Sequence, residues 1–249
     1  MSVSAERRGT TAIVTLRREE KRNAIDAAMT AAIDAAMNRF EDDPGCRAIV
    51  ITGGPTMFSA GTDIIATGGE PTERGGEYGI IRRRHCKPVI AAVEGYAFGG
   101  GMEIVFACDL VVSSRTARFG LPEVQRSFVP TCGGMFRPLR ALPPNVARQL
   151  ILTGEPLTAE RAYGLGLVNV LTQPGEALDA AIEVAKRIGA NGPLAVRECL
   201  LAIEDLFAAE ETQGWSLTSR ACQVIWRSED AVEGQKAFAE KRPPVWRGR

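Results

Sequence analysis

The chain has a single histidine, His85, and no C-x-x-C pair among its six cysteines. That shortage of ligands argues against a zinc site of ordinary composition, and no metal is expected. Lysine is scarce: Lys21, Lys87, Lys186, Lys236 and Lys241 are all there are, and the remaining positive charge is arginine. The 30 basic residues are matched by 30 acidic ones, so the formal net charge is zero. A neutral chain with no basic run interleaved with aromatics has no field to draw it onto nucleic acid or an anionic membrane, so neither partner is expected. Long uninterrupted apolar runs are also missing. The most apolar window, 89–112, is broken by Glu94, Glu103, Asp109 and four glycines. It reads as buried strand, glycine turn and buried helix, not as a membrane span. The segment from Met1 to Thr10 is polar and charged, which is not the pattern of a secretory leader. Cys46, Cys86, Cys108, Cys132, Cys199 and Cys222 are therefore read as free thiols in a reducing cytoplasm.

At 249 residues, the chain fits one large domain, or one domain with a helical appendage. Ala12–Leu16 is a strand pattern. Asn23 and Asp26 are helix-start residues, and Met29, Ile33, Met37 and Phe40 then recur at helical spacing. Ala48–Ile51 and Pro88–Val93 read as buried strands. The polar, glycine-rich stretch Gly68–Gly79 reads as a mobile surface segment, and Arg82, Arg83 and Arg84 as a solvated helix face. Gly99–Gly101 leads into a buried helix over Met102–Cys108, and Leu110–Val112 is a further strand. This alternation predicts an α/β fold with parallel strands. Beyond residue 140 helices dominate: Ala147–Leu152, Ala159–Gly164, Ala177–Ile188, Pro193–Phe207 and Ala231–Lys241, with one strand at Leu167–Leu171. Residues 1–190 are assigned to a core domain and 191–249 to a C-terminal helical region.

Three glycines between strand and helix cost backbone entropy, so something should need them. Tight strand–helix packing would suffice. So would close approach of a ligand to bare N–H groups at a helix N-terminus. The spacing is neither G-x-G-x-x-G nor a P-loop. Glu103 complements the helix dipole, yet Met102, Ile104, Val105 and Phe106 surround it with apolar side chains, and burying a glutamate there is costly without a purpose. Glu123, after Gly120-Leu121-Pro122, reads alone as a solvated loop acid. The two become a catalytic pair only if the fold brings them together.

The segment from Pro88 to Asp109 (PVIAAVEGYAFGGGMEIVFACD) resembles the signature of the crotonase, or enoyl-CoA hydratase, family. Phe119-Gly-Leu-Pro-Glu123 is similar to the segment that follows it, and Phe58-Ser-Ala-Gly-Thr-Asp63 to the family's first oxyanion loop. Leu152–Val168 and Glu229–Arg242 resemble later family segments, so the likeness spans almost the whole chain. It implies a spiral of β-β-α units with a C-terminal helical region used for assembly into a homotrimer or homohexamer. It also implies a site in which the N–H groups of Thr62 and Gly100 hold a thioester carbonyl. Glu103 would activate water and Glu123 would protonate C2, making the chain a lyase that hydrates trans-2-enoyl-CoA in fatty-acid or related metabolism. Coenzyme A would arrive as part of the acyl-CoA substrate, with no permanently bound cofactor. Its contacts would be Arg22, Ala60, Asp63 and Ile64, and Phe238 and Lys241 reaching in from a neighbouring subunit.

Gly68–Gly79 is short and glycine-rich for the loop that usually shapes the acyl site in the family, and two further features depart from its pattern. Thr131 stands where a glycine N–H commonly steadies the catalytic water, and Met135-Phe136 replaces a polar pair. Both changes are expected near the acyl pocket, where Cys132 is read as a packing residue. Other chemistries on the same fold are an enoyl-CoA isomerase and a carnitinyl-CoA-type dehydratase. Isomerases often keep only the glutamate matching Glu123, so the presence of both glutamates argues against that alternative. A non-catalytic RNA-binding role is opposed by the zero net charge.

Overall fold

The computed structural model describes residues 2–249. β1 (Val3–Arg8) and β2 (Thr11–Leu16) form an antiparallel hairpin. α1 (Ala27–Asp42) follows, capped by Asp26, whose carboxylate accepts from Met29 N–H at 2.8 Å and satisfies one of the helix's open donors. β3 (Ala48–Thr52) and β4 (Val89–Val93) are buried along their whole length. β5 (Tyr96–Phe98), α2 (Gly100–Phe106), β6 (Leu110–Ser114) and β7 (Arg118–Gly120) come next. A 3-10 turn, Pro122–Arg126, then leads to α3 (Pro138–Ala141) and α4 (Pro144–Thr153). The chain continues through β8 (Leu157–Thr158), α5 (Ala159–Gly164), β9 (Val170–Thr172) and α6 (Ala177–Gly189). It ends in α7 (Pro193–Ile225) and α8 (Glu229–Glu240).

Six strands form one sheet in the order β1-β2-β3-β4-β6-β9, parallel except for the first pair. Its central strands β3 and β4 are apolar at every position but Thr52 because both faces are covered. Ile49, Ile51, Val89 and Ala91 join α1 residues Met29, Ile33 and Phe40 in one core. Ala48, Val50, Ile90 and Ala92 meet Ala181 and Ala185 of α6 in the other. A second, small sheet has the order β5-β7-β8. Each pass of the chain therefore lays one strand in the large sheet, steps to the small one and ends in a helical turn: β4-β5-α2, then β6-β7 and the 3-10 turn. This is the ββα spiral that the resemblance implied.

The structure corrects four element assignments. Gly68–Gly79 is not a free surface segment: Tyr78 and Gly79 are buried, and Thr30 Oγ1 donates to the Gly68 carbonyl at 2.6 Å. Residues 82–84 do not form a solvated helix face. Arg83 is buried and bonds Asp34 at 2.5 Å and Asn38 at 2.7 Å, tying this segment to α1. α7 continues 18 residues past the predicted Phe207. The interruption suggested by Gly214 is a packing site, because a side chain there would collide with the Phe136 ring. The two- to six-residue strands β1, β5, β7 and β8 were not predicted.

Candidate active site

The small sheet assembles the site. Ser59 pairs in parallel with Ala97 of β5, and β5 pairs in parallel with β7. Three segments thus run side by side in one direction, and their carboxyl ends emerge together as Ala60–Thr62, Gly99–Gly100 and the turn bearing Glu123. The peptide links are Phe98 N–H to the Ser59 carbonyl at 3.0 Å and Gly99 N–H to the Gly120 carbonyl at 2.9 Å. Three sequence-distant glycine-bearing segments become neighbours in this way, as ligand sites commonly do at the carboxyl ends of parallel strands.

The two proposed N–H donors sit on adjacent segments. Ile25 donates to the Gly61 carbonyl at 2.8 Å and accepts from Asp63 N–H at 2.9 Å. Alternation along an extended chain turns the Thr62 N–H to the opposite side. Gly61 has φ of +93°, and a Cβ on it would lie 2.9 Å from the Gly100 nitrogen, so the segments approach this closely only without a side chain. Gly100 is the first residue of α2, so its N–H is one of the donors that a helix leaves open.

The sequence had placed Asn23 only as a helix-start residue, yet it holds this loop. It is fully buried, and its amide donates to the carbonyls of Gly53, Met57 and Phe58 at 2.7, 3.0 and 3.2 Å. The neighbouring Arg22 carbonyl accepts from Ala60 N–H at 3.0 Å, which brings the Lys21–Ala24 stretch to the rim. Arg22, Ala60, Thr62 and Ile64 are exposed there. The Asp63 carboxylate is already committed. It takes N–H bonds from Ala66 and Ile65 and pairs with Arg18 at 3.1 Å, and these together hold its pKa below the ordinary value.

Glu103 lies in α2, 2% exposed. Its Oε1 accepts from Cys132 N–H at 2.6 Å and Gly134 N–H at 3.0 Å. Burial pushes its pKa up, and the two N–H groups pull the other way. Gly134 is required by contact, since a Cβ there would lie 3.0 Å from Glu103 Oε1 and 2.6 Å from Pro130 Cβ. Glu123 stands across the glycine turn: a Cβ on Gly99 would be 3.2 Å from its Oε1. Its Oε2 is buried without a protein partner. Burial raises its pKa, and the Glu103 charge raises it further. The fold has therefore brought the two carboxyls together and given them different surroundings.

Tyr78, which no sequence pattern singled out, is also at the site. Its hydroxyl lies 2.6 Å from Thr62 Oγ1, and a Cβ on Gly100 would lie 2.6 Å from that same hydroxyl. The altered turn behaves differently from expectation. Thr131 is exposed, while the N–H groups of Cys132 and Gly134 hold Glu103. Phe136 faces α7 instead of the acyl side, packing edge-on against Trp215 with ring centres 5.1 Å apart.

Phe238 lies beneath the Arg126 guanidinium of its own chain, 4.0 Å from ring centre to carbon. α8 packs on the Pro122–Arg126 turn of the same chain, where Gly234 leaves room for the Arg126 carbonyl. Lys241 is exposed and caps α8 in the left-handed conformation. Among the described residues, His85, Asp109 and Glu204 bring ligand-type atoms within 4.8 Å of one another. Their bonds are already made within the protein: Asp109 Oδ2 takes both His85 Nε2, at 3.0 Å, and Val89 N–H, at 2.7 Å.

Comparison with known proteins agrees with this geometry. The description Enoyl-CoA hydratase/isomerase matches residues 6–249. Enoyl-CoA hydratase EchA19 of Mycobacterium tuberculosis is 38% identical over 254 residues, covering 98% of this chain and 96% of its own. Carnitinyl-CoA dehydratase of Salmonella arizonae is 40% identical over 259 residues, covering 99% and 98%. The crystal structure of carnitinyl-CoA hydratase from Mycobacterium avium superposes with a TM-score of 0.93 at 40% identity, covering 100% and 99%. With the spiral fold, the paired glutamates and these relatives in agreement, the chain belongs to the enoyl-CoA hydratase/isomerase, or crotonase, family, and is a hydro-lyase of CoA thioesters.

Proposed function

We propose that this protein is an enoyl-CoA hydratase that adds water reversibly to trans-2-enoyl-CoA, giving 3-hydroxyacyl-CoA, in the cytoplasm and in fatty-acid or related acyl-CoA metabolism. The observation that carries this is the asymmetry of the two buried carboxyls. Glu103 accepts two backbone N–H bonds, which favour its ionised form. Glu123 has a buried oxygen without a partner and feels the Glu103 charge, which favours its protonated form. A base and an acid of the same residue type are thereby separated by environment.

In the forward direction the thioester oxygen accepts the Thr62 and Gly100 N–H groups. Glu103 takes a proton from water as the oxygen attacks C3, and the electron pair moves through C2 to the carbonyl. Glu123 then delivers its proton to C2, restoring the carbonyl. Donors fixed where charge develops are a large catalytic term, worth about 2.7–4 kcal/mol for each one lost. Coenzyme A enters only as part of the substrate, along the rim of Arg22, Ala60, Asp63 and Ile64, with Phe238 and Lys241 from α8. We read residues 1–190 as the catalytic core and 191–249 as the assembly region.

A carnitinyl-CoA-type dehydratase is the second reading, favoured by the likeness to the Salmonella carnitinyl-CoA dehydratase. The same pair run in reverse would serve it. Loss of enoyl-CoA ultraviolet absorbance separates the outcomes, measured for wild type and Glu123→Gln with short and medium straight chains and with crotonobetainyl-CoA. Rapid loss with straight chains that falls about 10²–10⁴-fold in the variant supports the hydratase. Turnover of the betaine thioester alone would replace it with the second reading.

A further inference from the structure

Tyr78 is held where an ordinary surface tyrosine would not be. It is buried, and its backbone has φ of +54°, a left-handed conformation that is an outlier for a bulky side chain. Strain of this kind persists only where the surroundings enforce it, and it concentrates at ligand sites. The surroundings here are specific. The hydroxyl is 2.6 Å from Thr62 Oγ1 and lies beside Cys132. The ring edge covers Gly100, leaving no room for a side chain there.

These contacts fix which part of a substrate meets the phenol. Thr62 and Gly100 bound the thioester carbonyl. Cys132 supplies the N–H that holds Glu103 at 2.6 Å, and Glu103 serves C3. The phenol, bonded to Thr62 and beside Cys132, is thereby assigned to the C3 side, where the acyl tail would leave the reacting atoms. A tail on that path would meet a phenol O–H, a threonine hydroxyl and a thiol. An alkyl tail can accept no hydrogen bond from any of them.

Resting on the hydratase reading above, we infer that Tyr78 determines acyl selectivity, favouring tails that carry a hydrogen-bond acceptor a few atoms beyond C3 over alkyl tails of equal length. The Tyr78–Thr62 pair carries two hydroxyl hydrogens and shares one bond, so one hydrogen is left to donate, and a tail without an acceptor disfavours binding by leaving it unpaired.

The test compares two isosteric substrates, hex-2-enoyl-CoA and 4-methoxybut-2-enoyl-CoA, in which one methylene becomes an ether oxygen. Wild type should prefer the ether in kcat/KM by on the order of tenfold, and Tyr78→Phe should abolish the preference, with but-2-enoyl-CoA, which has no atom at that position, as the reference rate within each variant. Dissociation constants for hexanoyl-CoA and 4-methoxybutanoyl-CoA, by calorimetry, read the same selectivity without chemistry, so a failure of the hydratase reading stays separable from a failure of this one. An unchanged ether-to-alkyl ratio in Tyr78→Phe overturns the proposal. So does an equal fall for all three substrates with unchanged binding, which would make the phenol part of the oxyanion machinery. If Tyr78→Phe loses its circular dichroism, Thr62→Val, which removes the phenol's partner but keeps the N–H, should show a weakened preference. An unaltered preference there would count against the proposal.

Discussion

At neutral pH Glu123 is kept in surroundings that disfavour its charge. Its folded pKa is raised by burial and by Glu103, so its contribution to stability is fully present below the pKa of the unfolded chain and is lost as pH rises through the folded value. Glutamine is close to a protonated glutamate in shape and cannot ionise. Glu123→Gln should therefore melt at a higher temperature than wild type at pH 8, by a few degrees, since about 1 kcal/mol moves a chain of this size by roughly 2–4 °C. At pH 5 the difference should shrink towards zero. Calorimetry at both values checks this, and an equal gain at both would show that charge is not the cause. The same variant should be nearly inactive, the usual trade between stability and a strained site. Glu103 could be singled out from the sequence because its neighbours, three glycines and an apolar helix, are local, whereas Glu123 read alone as a loop acid and was named only by the family resemblance. Tyr78 and Asn23 could not. Their roles come from Thr62, Gly100 and the carbonyls of Gly53 and Phe58, which only the folded chain brings near.

Among the elements, α7 has the most to explain. It is held to the core at a few points. Phe136 fits over Gly214, Arg137 and Arg140 bond Glu211 at 3.0 and 2.6 Å, and His85 stands between Asp109 of the core and Glu204 of the helix. Burial opposes charge on His85, but the Asp109 hydrogen bond and the charges of Asp109, Glu204 and Glu41 outweigh it and lift its pKa to about 9. A histidine raised above its ordinary value of about 6.5 contributes stability that is complete below that value and disappears as pH rises through about 9. Glu204 is itself pushed up by burial, so the Asp109 partner carries most of the gain. His85→Gln should be less stable than wild type at pH 6.5 by on the order of 1–3 kcal/mol, with the gap closing by pH 10. Denaturant titration at the two values measures it, and a gap independent of pH would leave only a packing role. The longer helices were legible from their apolar spacing. The three-residue strands β5 and β7 were too short to show a period, though they decide where Glu123 goes.

At the scale of the molecule, alternating strands and helices predicted parallel α/β structure, but they did not distinguish a spiral from a doubly wound sheet. Only the family resemblance did, because the step from the large sheet to the small one leaves no mark in periodicity. The C-terminal region poses the opposite problem, since its helices were plain and their surfaces are not satisfied in one chain. Within α7 only Leu200, Gly214, Thr218 and Cys222 are buried. Leu206 is 77% and Trp226 69% exposed, with Val224, Val232 and Trp246 also exposed. Apolar patches rimmed by charge mark surfaces that meet another protein, and closed symmetric assembly of identical chains is the common solution. With no helix among the described residues long and apolar enough to cross a membrane, a bilayer-spanning helix is not what covers them. The expected state is three copies of the chain, or six if two trimers pair. Light scattering of wild type should return a trimer or hexamer mass, and Leu206→Glu with Trp226→Glu should give smaller species with unchanged helical content. An oligomer indifferent to both substitutions would place the interface elsewhere. Because Phe238 reaches Arg126 within its own chain, the separated subunits should retain measurable turnover, whereas a site completed by a neighbour would lose it on dissociation.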